Sequence, residues 1–499
     1  MQDAGYKYGP KQISQVFLLK EIERVKLRKE CKKMKKSLLW VAVLVLSVSM
    51  IAAFSLVGCK TTTTKTTTAA ETTTVAAEAT AAEATAEDTV AEDTTAHEPV
   101  TLKYTVWLAE PFPTQLNTIL DTFEAKYPWI TVEVSMVAAG EYSNTLQTDL
   151  AIGAGPDLCW IEPFSNGRAL YNAGYLATLD ETTVPLLSTL STFDEAAASA
   201  FESDDGIPYA IPLCRSSHGV YYNKTIFDAN GLTEPTTWAE LIAVCEALKA
   251  AGITPFANGV LVGPLTANVW YPGLGANFYG GEDAMKAVAE GTMKITDQPF
   301  VDAFKAIKEL QQYCSEDFLS LDYIEGISMF TSGQCAMSLD GSWMIPLMLS
   351  QVEGTDTVID WFGPPVVNAG DTPWLCLSID NGLAINKNTK HLEEALLLLN
   401  WCTTTEWAQL GYANIPGTAF CVPGEYTFAS DLDKKINDFR TTAKIHNRTF
   451  QAIFDVKDPS PLILITEAVI GMFKDDFTPE QAAQHVQDGM ATWYPPLMN

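Results

Sequence analysis

Twelve tryptophans give this chain a large stock of flat apolar faces, each ending in an N–H that can be directed at a polar partner. Trp107 is followed by Glu110, and Trp160 by Glu162. Trp343 closes the turn Gly341-Ser342-Trp343, where Gly341 lets the backbone approach a neighbour closely. Trp270 stands in Asn268-Val269-Trp270-Tyr271. Aromatic platforms beside a few polar groups suit binding of a solute more than its chemical conversion. The five histidines (His97, His218, His391, His446, His485) show no metal-ligand spacing, and no G-x-S-x-G, H-E-x-x-H or P-loop occurs. Carboxylates are numerous enough for glycoside hydrolysis, yet nothing in the sequence pairs two of them. A secreted glycoside-processing enzyme is therefore the alternative of a different class. His218 is assigned to core or surface, and Trp238, Trp374, Trp401, Trp407 and Trp493 to packing.

Elements that could position these residues can be read from periodicity. Val100–Leu108 alternates and is rich in β-formers. Gln115–Lys126 carries the helical series Leu116, Ile119, Leu120, Phe123 and stops before Pro128. Ile130–Met136 is a second strand. Glu141–Ile152 is a helix broken by Gly153-Ala154-Gly155-Pro156, and Asp157–Ile161 is a third strand. A β-α-β-α-β order argues for a parallel sheet with covering helices, an α/β fold. In such sheets ligands sit beyond the carboxyl ends of strands, which points at Trp107 with Glu110 and at Trp160 with Glu162. Thr237 with Glu240 forms a capping box, and Thr478-Pro479-Glu480-Gln481 opens a late helix in the same way. Asp157 is expected to brace a strand end. Tyr221 and Tyr222 alternate on a strand, so at most one of them faces a cleft.

The first hundred residues differ in kind. Lys32, Lys33, Lys35 and Lys36 precede the uncharged apolar run Leu38–Val57, the pattern of a secretory signal. The run is long enough to span a bilayer, so an uncleaved anchor is the alternative. It ends in Leu56-Val57-Gly58-Cys59, which resembles the lipobox of bacterial lipoproteins and implies a lipidated Cys59 as the mature N-terminus. Residues 1–33 read as an extension that is not normally translated. Lys29-Glu30 can be encoded as a ribosome-binding sequence ahead of Met34, which makes 34–58 the signal peptide. The segment 59–98 is the lipidated cysteine and a Thr/Ala/Glu linker with almost no large apolar residue, expected to be disordered. Residues 1–58 hold 11 basic and 4 acidic residues of the chain's 32 and 61, leaving a net of −36 beyond them. That surface does not suit nucleic acid. The other eight cysteines, beyond Cys31 and Cys59, form no C-x-x-C pair and read as buried free thiols.

Several stretches together carry a family resemblance. Phe123-Glu124-Ala125-Lys126-Tyr127-Pro128-Trp129 leading into Ile130–Val134, then Gly153–Leu158, Asp205–Pro212, Tyr221–Lys224 with Phe227, Pro235–Leu241, and Phe330–Met337 with Gly341-Ser342-Trp343 resemble, in this order, family 1 extracellular solute-binding proteins. These are the substrate-binding components of sugar ABC transporters. Ile207 stands where a lysine is common, and Cys335 where an alanine is. The resemblance implies a two-lobed periplasmic-binding-protein fold, type II-like, with a ligand cleft between lobes joined by crossover hinge segments. Lobe 1 is expected at 99–212 plus 376–415, and lobe 2 at 213–375 plus 416–499. The crossovers are expected near Pro212–Ser216, Thr372–Leu377 and Ile415–Val422. It implies a sugar or oligosaccharide as ligand, with Trp343 as the stacking residue beside Trp160, Trp270 and Trp107. Glu110, Glu162, Asp340, Arg215 and Asn381 are the expected polar partners. It further implies no cofactor, no metal, no catalytic activity and no nucleic acid. The partners would be the ABC permease subunits and the bacterial membrane, by a lipid anchor at Cys59 of a monomer outside the cytoplasm. The alternative within the same fold is a non-sugar solute such as a polyamine, or a binding protein that feeds a sensor.

Overall fold

The computed structural model describes residues 97–108, 110–261, 263–448 and 459–498, without the side chains of 263–268. The extension 1–33, the signal peptide 34–58, Cys59 and the linker up to residue 96 lie outside the described residues.

The opening follows the expected order: β1 (Val100–Val106), α1 (Phe112–Lys126), β2 (Ile130–Met136), α2 (Ala139–Ala151) and β3 (Leu158–Ile161). β1 ends two residues earlier than its alternation suggests. α1 turns Leu116, Ile119, Leu120 and Phe123 inward, one stripe at helical spacing. β1 pairs in parallel with β2 from Val100↔Ile130 to Val106↔Met136, and with β3 at Tyr104↔Leu158. Asp157 braces the start of β3: its Oδ2 accepts the Lys103 N–H at 2.9 Å, and its Oδ1 accepts the Thr389 hydroxyl.

The parallel run then stops. β3 pairs antiparallel with β8 (Trp374–Ile385), and β8 with β4 (Ile211–Asn223). The 13 residues of β4 serve two neighbourhoods. From Ile211 to Ser217 its partner is β8, and from His218 to Tyr222 its partner is β6 (Cys335–Gly341). β5 (Thr254–Phe256) continues beyond β6, β7 (Ile359–Phe362) and β9 (Ala419–Phe420) join β4, and β10 (Lys444–His446) joins β8.

β4 and β8 thus carry the chain between two apolar cores. The first gathers Tyr104, Phe123, Trp160 and Leu399, with Ile415, Phe420 and Val422 among its members. The second gathers Trp270, Phe304, Met337 and Val469. A smaller cluster around Tyr221, Met348 and Trp361 adjoins it. Both tyrosines of Tyr221-Tyr222 are buried, so neither faces open cleft. Helices α3 (Trp238–Ala250), α4 (Gly263–Leu274) and α5 (Gln298–Leu310) supply the second core. α6 (Tyr323–Thr331) lies against β6, α7 (Thr405–Asn414) packs on α1, and α8 (Pro461–Phe473) and α9 (Pro479–Ala491) return to the second core. The architecture is a two-lobed α/β fold.

The expected caps are present. Thr237 Oγ1 accepts the Glu240 N–H at 3.3 Å while Glu240 Oε2 accepts the Thr237 N–H at 3.0 Å. Thr478 and Gln481 repeat the exchange at the start of α9. Each such cap satisfies helix-terminal N–H groups and contributes about 1 kcal/mol. All eight cysteines of the described residues are free, and all but Cys314 are buried. Burial pushes the Cys159, Cys335 and Cys376 thiols up to about 12, so they stay protonated and pack as small hydrophobes.

Candidate functional site

β3 and the turn after β6 bring Trp160 and Trp343, one from each core, to the wall of a single narrow cavity. Tyr104, Phe112, Trp407 and Phe420 extend the apolar wall, and Asp380 and Asn381 of β8 add polar groups. The free space is about 20 Å³, room for about one water molecule.

Trp160 is the more rigid platform. Its Nε1–H donates to the Tyr104 hydroxyl at 2.7 Å, and its carbonyl accepts the Tyr142 O–H at 2.7 Å. Trp107 meets its ring edge-on at 5.0 Å and Phe112 at 4.9 Å. Trp107 therefore supports Trp160, one layer behind the cavity. Trp343 is only partly buried. Its ring folds back over Gly341, where a Cβ would lie 2.0 Å from Trp343 Cζ3. A side chain at 341 would displace the ring, which is the physical reason for that glycine. The Trp343 Nε1–H donates to the Tyr323 hydroxyl at 2.9 Å. His218 abuts the ring at 5.3 Å and the Arg448 guanidinium lies 5.7 Å from its centre, within reach of a cation–π contact.

On the polar side, Asn381 is buried. Its Oδ1 accepts the Cys214 thiol at 3.4 Å, while its Nδ2 finds no partner among the described residues. Asp380 Oδ2 accepts the Ser216 hydroxyl at 3.0 Å. Burial raises the Asp380 carboxyl above its ordinary range, opposed by the Arg448 charge and the Ser216 bond. His218 is fully buried, and burial with the nearby Arg448 holds its imidazole neutral, well below its usual pKa.

The remaining expected contacts are placed elsewhere. Trp270 is fully buried on α4, between Phe256 and Phe473, and does not join the cavity. Arg215 is turned into a brace: it donates to Asp194 at 2.7 Å, to the Leu377 carbonyl at 3.2 Å and to Asn447 at 3.1 Å. Glu110 is exposed and accepts the Thr114 hydroxyl at 2.8 Å. Glu162, half-buried, accepts from Asn166.

Asp340 is fully buried, with Oδ1 accepting both the Tyr323 O–H and the Gly341 N–H at 2.7 Å. Burial pushes its carboxyl up to about 7, against the lowering effect of those two bonds. A carboxyl raised in this way binds its proton more tightly in the folded chain than in the unfolded one. Its contribution to stability is complete below about pH 4 and is lost as pH rises to about 7. Asp340→Asn keeps an oxygen for both donors and cannot ionise. Urea midpoints at pH 5 and pH 8 are expected to show the wild type losing stability relative to the variant as pH rises; parallel profiles would refute this.

Asp380 was not singled out from sequence, and Trp407 was assigned to packing; both also line the cavity. Asp380 carried a signal, as a carboxylate inside the apolar run Leu375–Ile385. Trp407 carried none, because it is also a buried packing residue against Trp401 and Phe420. Among the described residues no helix is long and apolar enough to cross a membrane, and no group of His, Cys, Asp or Glu could hold a metal ion.

Two lobes joined by paired strands, with one aromatic face from each meeting at a cavity, define a binding protein of the two-lobed solute-receptor class. Residues 105–409 match the family described as bacterial extracellular solute-binding protein, and the chain belongs to that family. It is similar to the multiple sugar-binding protein of Streptococcus mutans, 25% identical over 332 residues, spanning 65% of this chain and 76% of that one. A probable sugar-binding periplasmic protein of Rhizobium meliloti is 30% identical over 176 residues, 33% of this chain and 40% of its own length. Among solved structures, a chitin oligosaccharide binding protein superposes with a TM-score of 0.63 at 25% identity, covering 78% of this chain and 98% of that one. RafE in complex with raffinose superposes with a TM-score of 0.63 at 20% identity, covering 80% of this chain and all of that one.

Proposed function

We propose that the protein captures a sugar or oligosaccharide between Trp160 and Trp343 and delivers it to the permease of an ABC importer. The observation that carries this reading is that each lobe lends one tryptophan to the same cavity, beside Asp380 and the Asn381 Nδ2, which has no partner among the described residues. A sugar has apolar C–H faces for the indoles and a hydroxyl rim for the carboxylate and amide. The cavity as it stands has room for about one water molecule, not for a sugar ring. Entry therefore requires the lobes to part, and the ligand, touching both walls, favours their closure. The divide runs where β4 changes partner, between Ser217 and His218, and near Leu377 in β8. Asp380 is the carboxylate on the cavity wall, which suits binding better than two-carboxylate hydrolysis. Lipidation at Cys59, with the segment behind it as tether, would keep the domain beside the membrane.

A thermal-shift screen of the full-length protein against mono- and oligosaccharides tests the reading. A bound sugar at a hundredfold excess over its Kd adds about 2.7 kcal/mol of stability. No response to any carbohydrate together with a response to a polyamine would overturn it in favour of a cationic solute, the reading that Asp380 and the acidic surface favour. Turnover of a glycoside would overturn the non-enzymatic reading. Mass spectrometry of membrane-extracted protein reads the modification of Cys59 directly, and an unmodified cysteine behind an intact N-terminus would remove the anchor.

A further inference from the structure

We propose that Tyr323 and Asp340 are positioning residues that fix the plane of the Trp343 indole, acting through that ring without touching the solute themselves. The inference rests on the reading of Trp343 as a ligand platform. A partly buried tryptophan in a turn can swing about two side-chain bonds, and a stacking surface is useful only in one orientation. Here the orientation is held by a directional relay. The Tyr323 hydroxyl has one proton, and it is given to Asp340 Oδ1 at 2.7 Å. Its oxygen is thereby left to accept the Trp343 Nε1–H at 2.9 Å. With the carboxyl ionised, the relay runs from indole to phenol to carboxylate.

Both ends of the relay are tied down. Asp340 lies in β6, opposite Gly219 of β4. The preceding residue, Leu339, is clamped by the buried Asn258, which donates to its carbonyl at 2.6 Å and accepts its N–H at 2.9 Å. Tyr323 opens α6 behind the Asp322–Glu325 capping box. The same helix is pressed onto the 257–259 segment, since a Cβ at Gly326 would lie 2.4 Å from the Ala257 carbonyl. Neither partner can drift without moving a helix or a strand.

The carboxyl itself is a costly choice for a mere packing role. Asp340 is fully buried, and its Oδ2 has no hydrogen-bond partner among the described residues. An unsatisfied buried oxygen is destabilising. Asparagine or a hydroxyl would meet the same two donors without an ionisable group. The groups facing Asp340 are Tyr323 from α6, Tyr221 from β4 and the Gly341 N–H. Those facing the Trp343 ring are His218 and Arg448. The relay is also the route by which the ionisation of Asp340, near pH 7, reaches the cavity wall.

The test uses full-length protein labelled with 5-fluorotryptophan, in which the Trp343 fluorine resonance is identified by its loss in Trp343→Phe. In the wild type this resonance is expected to titrate with a midpoint near 7. In Asp340→Asn the ring stays ordered and the titration disappears. In Tyr323→Phe and in Asp340→Ala the resonance narrows and moves toward the position of free fluorotryptophan. An unchanged Trp343 resonance in both of those variants would overturn the relay, and so would a titration that persists in Asp340→Asn. Should Asp340→Ala fail to fold, the two near-isosteric variants decide the question. With raffinose as the probe, Tyr323→Phe is expected to raise Kd at least tenfold with little change in the unfolding midpoint. A wild-type Kd beside a disordered ring would overturn the positioning role. If the wild type binds no raffinose, the choice of that sugar fails, and the fluorine resonance still decides the relay.

Discussion

Trp270→Ala is expected to destabilise the protein by about 3–5 kcal/mol, the largest stability effect of any single tryptophan truncation in the second core. Trp270 is fully buried on α4, with Phe473 edge-on at 5.4 Å and Phe256 at 6.1 Å. Its removal leaves a void lined by β5, α4 and α8, elements that also pack on other neighbours and so collapse poorly into the space. One term works the other way. The Trp270 Nε1–H has no acceptor among the described residues, and an unsatisfied buried donor costs about 1–3 kcal/mol. The alanine variant is relieved of that cost, which places its loss toward the lower end of the range. Trp270→Phe separates the terms: it keeps most of the volume and discards the orphan N–H, so its loss is expected below about 1.5 kcal/mol. Urea unfolding of the two variants checks both numbers. A loss under 1 kcal/mol in the alanine variant would show that the site is not tightly packed.

That tryptophan also marks where reading the sequence stops short. The β-α-β-α-β opening was legible because it is local: alternation in β1 and β2, the stripe Leu116–Phe123, and the breaks at Pro128 and Gly153–Pro156 lie within a few residues of what they determine. The capping boxes at Thr237 and Thr478 were legible for the same reason. The strands that link the two cores were harder. β4 and β8 are joined by pairs such as Ser216↔Ser378, more than 160 residues apart, and no local pattern marks the point between Ser217 and His218 where β4 exchanges one partner for another. Trp160 followed from its place near the end of β3. Trp343 came from the Gly341-Ser342-Trp343 turn, whose glycine has a steric reason. Trp270 was expected at the ligand because a tryptophan near an asparagine looks, in sequence, the same on a cleft wall as in a core; here its ring is fully buried between Phe256 and Phe473. Asp340 was expected to contact ligand as an acidic residue next to a candidate platform; its carboxyl is fully buried and accepts from Tyr323 and the Gly341 N–H, an environment set by residues on other elements that no local pattern shows.

Trp343→Ala is expected to weaken sugar binding by about 2–3 kcal/mol, a factor of about thirty to a hundred and fifty in Kd, while costing the fold much less than Trp270→Ala does. The difference follows from where the two rings spend their surface. Trp270 gives all of its area to the second core, so truncation is felt in the folded state whether or not a solute is present. Trp343 is partly exposed at the cavity, with one edge against His218 and its N–H on Tyr323. The area it withholds from the core is what remains for a sugar face. Trp160 falls between them. It lines the cavity, yet it is 3% exposed and holds Tyr104, Trp107 and Phe112 around it, so Trp160→Ala is expected to lose both stability and affinity. Titration calorimetry with the sugar that most stabilises the wild type, paired with urea midpoints, places each variant on the two axes. A Trp343→Ala protein that keeps its affinity, or that loses stability as heavily as Trp270→Ala, would mean that this ring belongs to the core and that the binding surface lies elsewhere on the cleft.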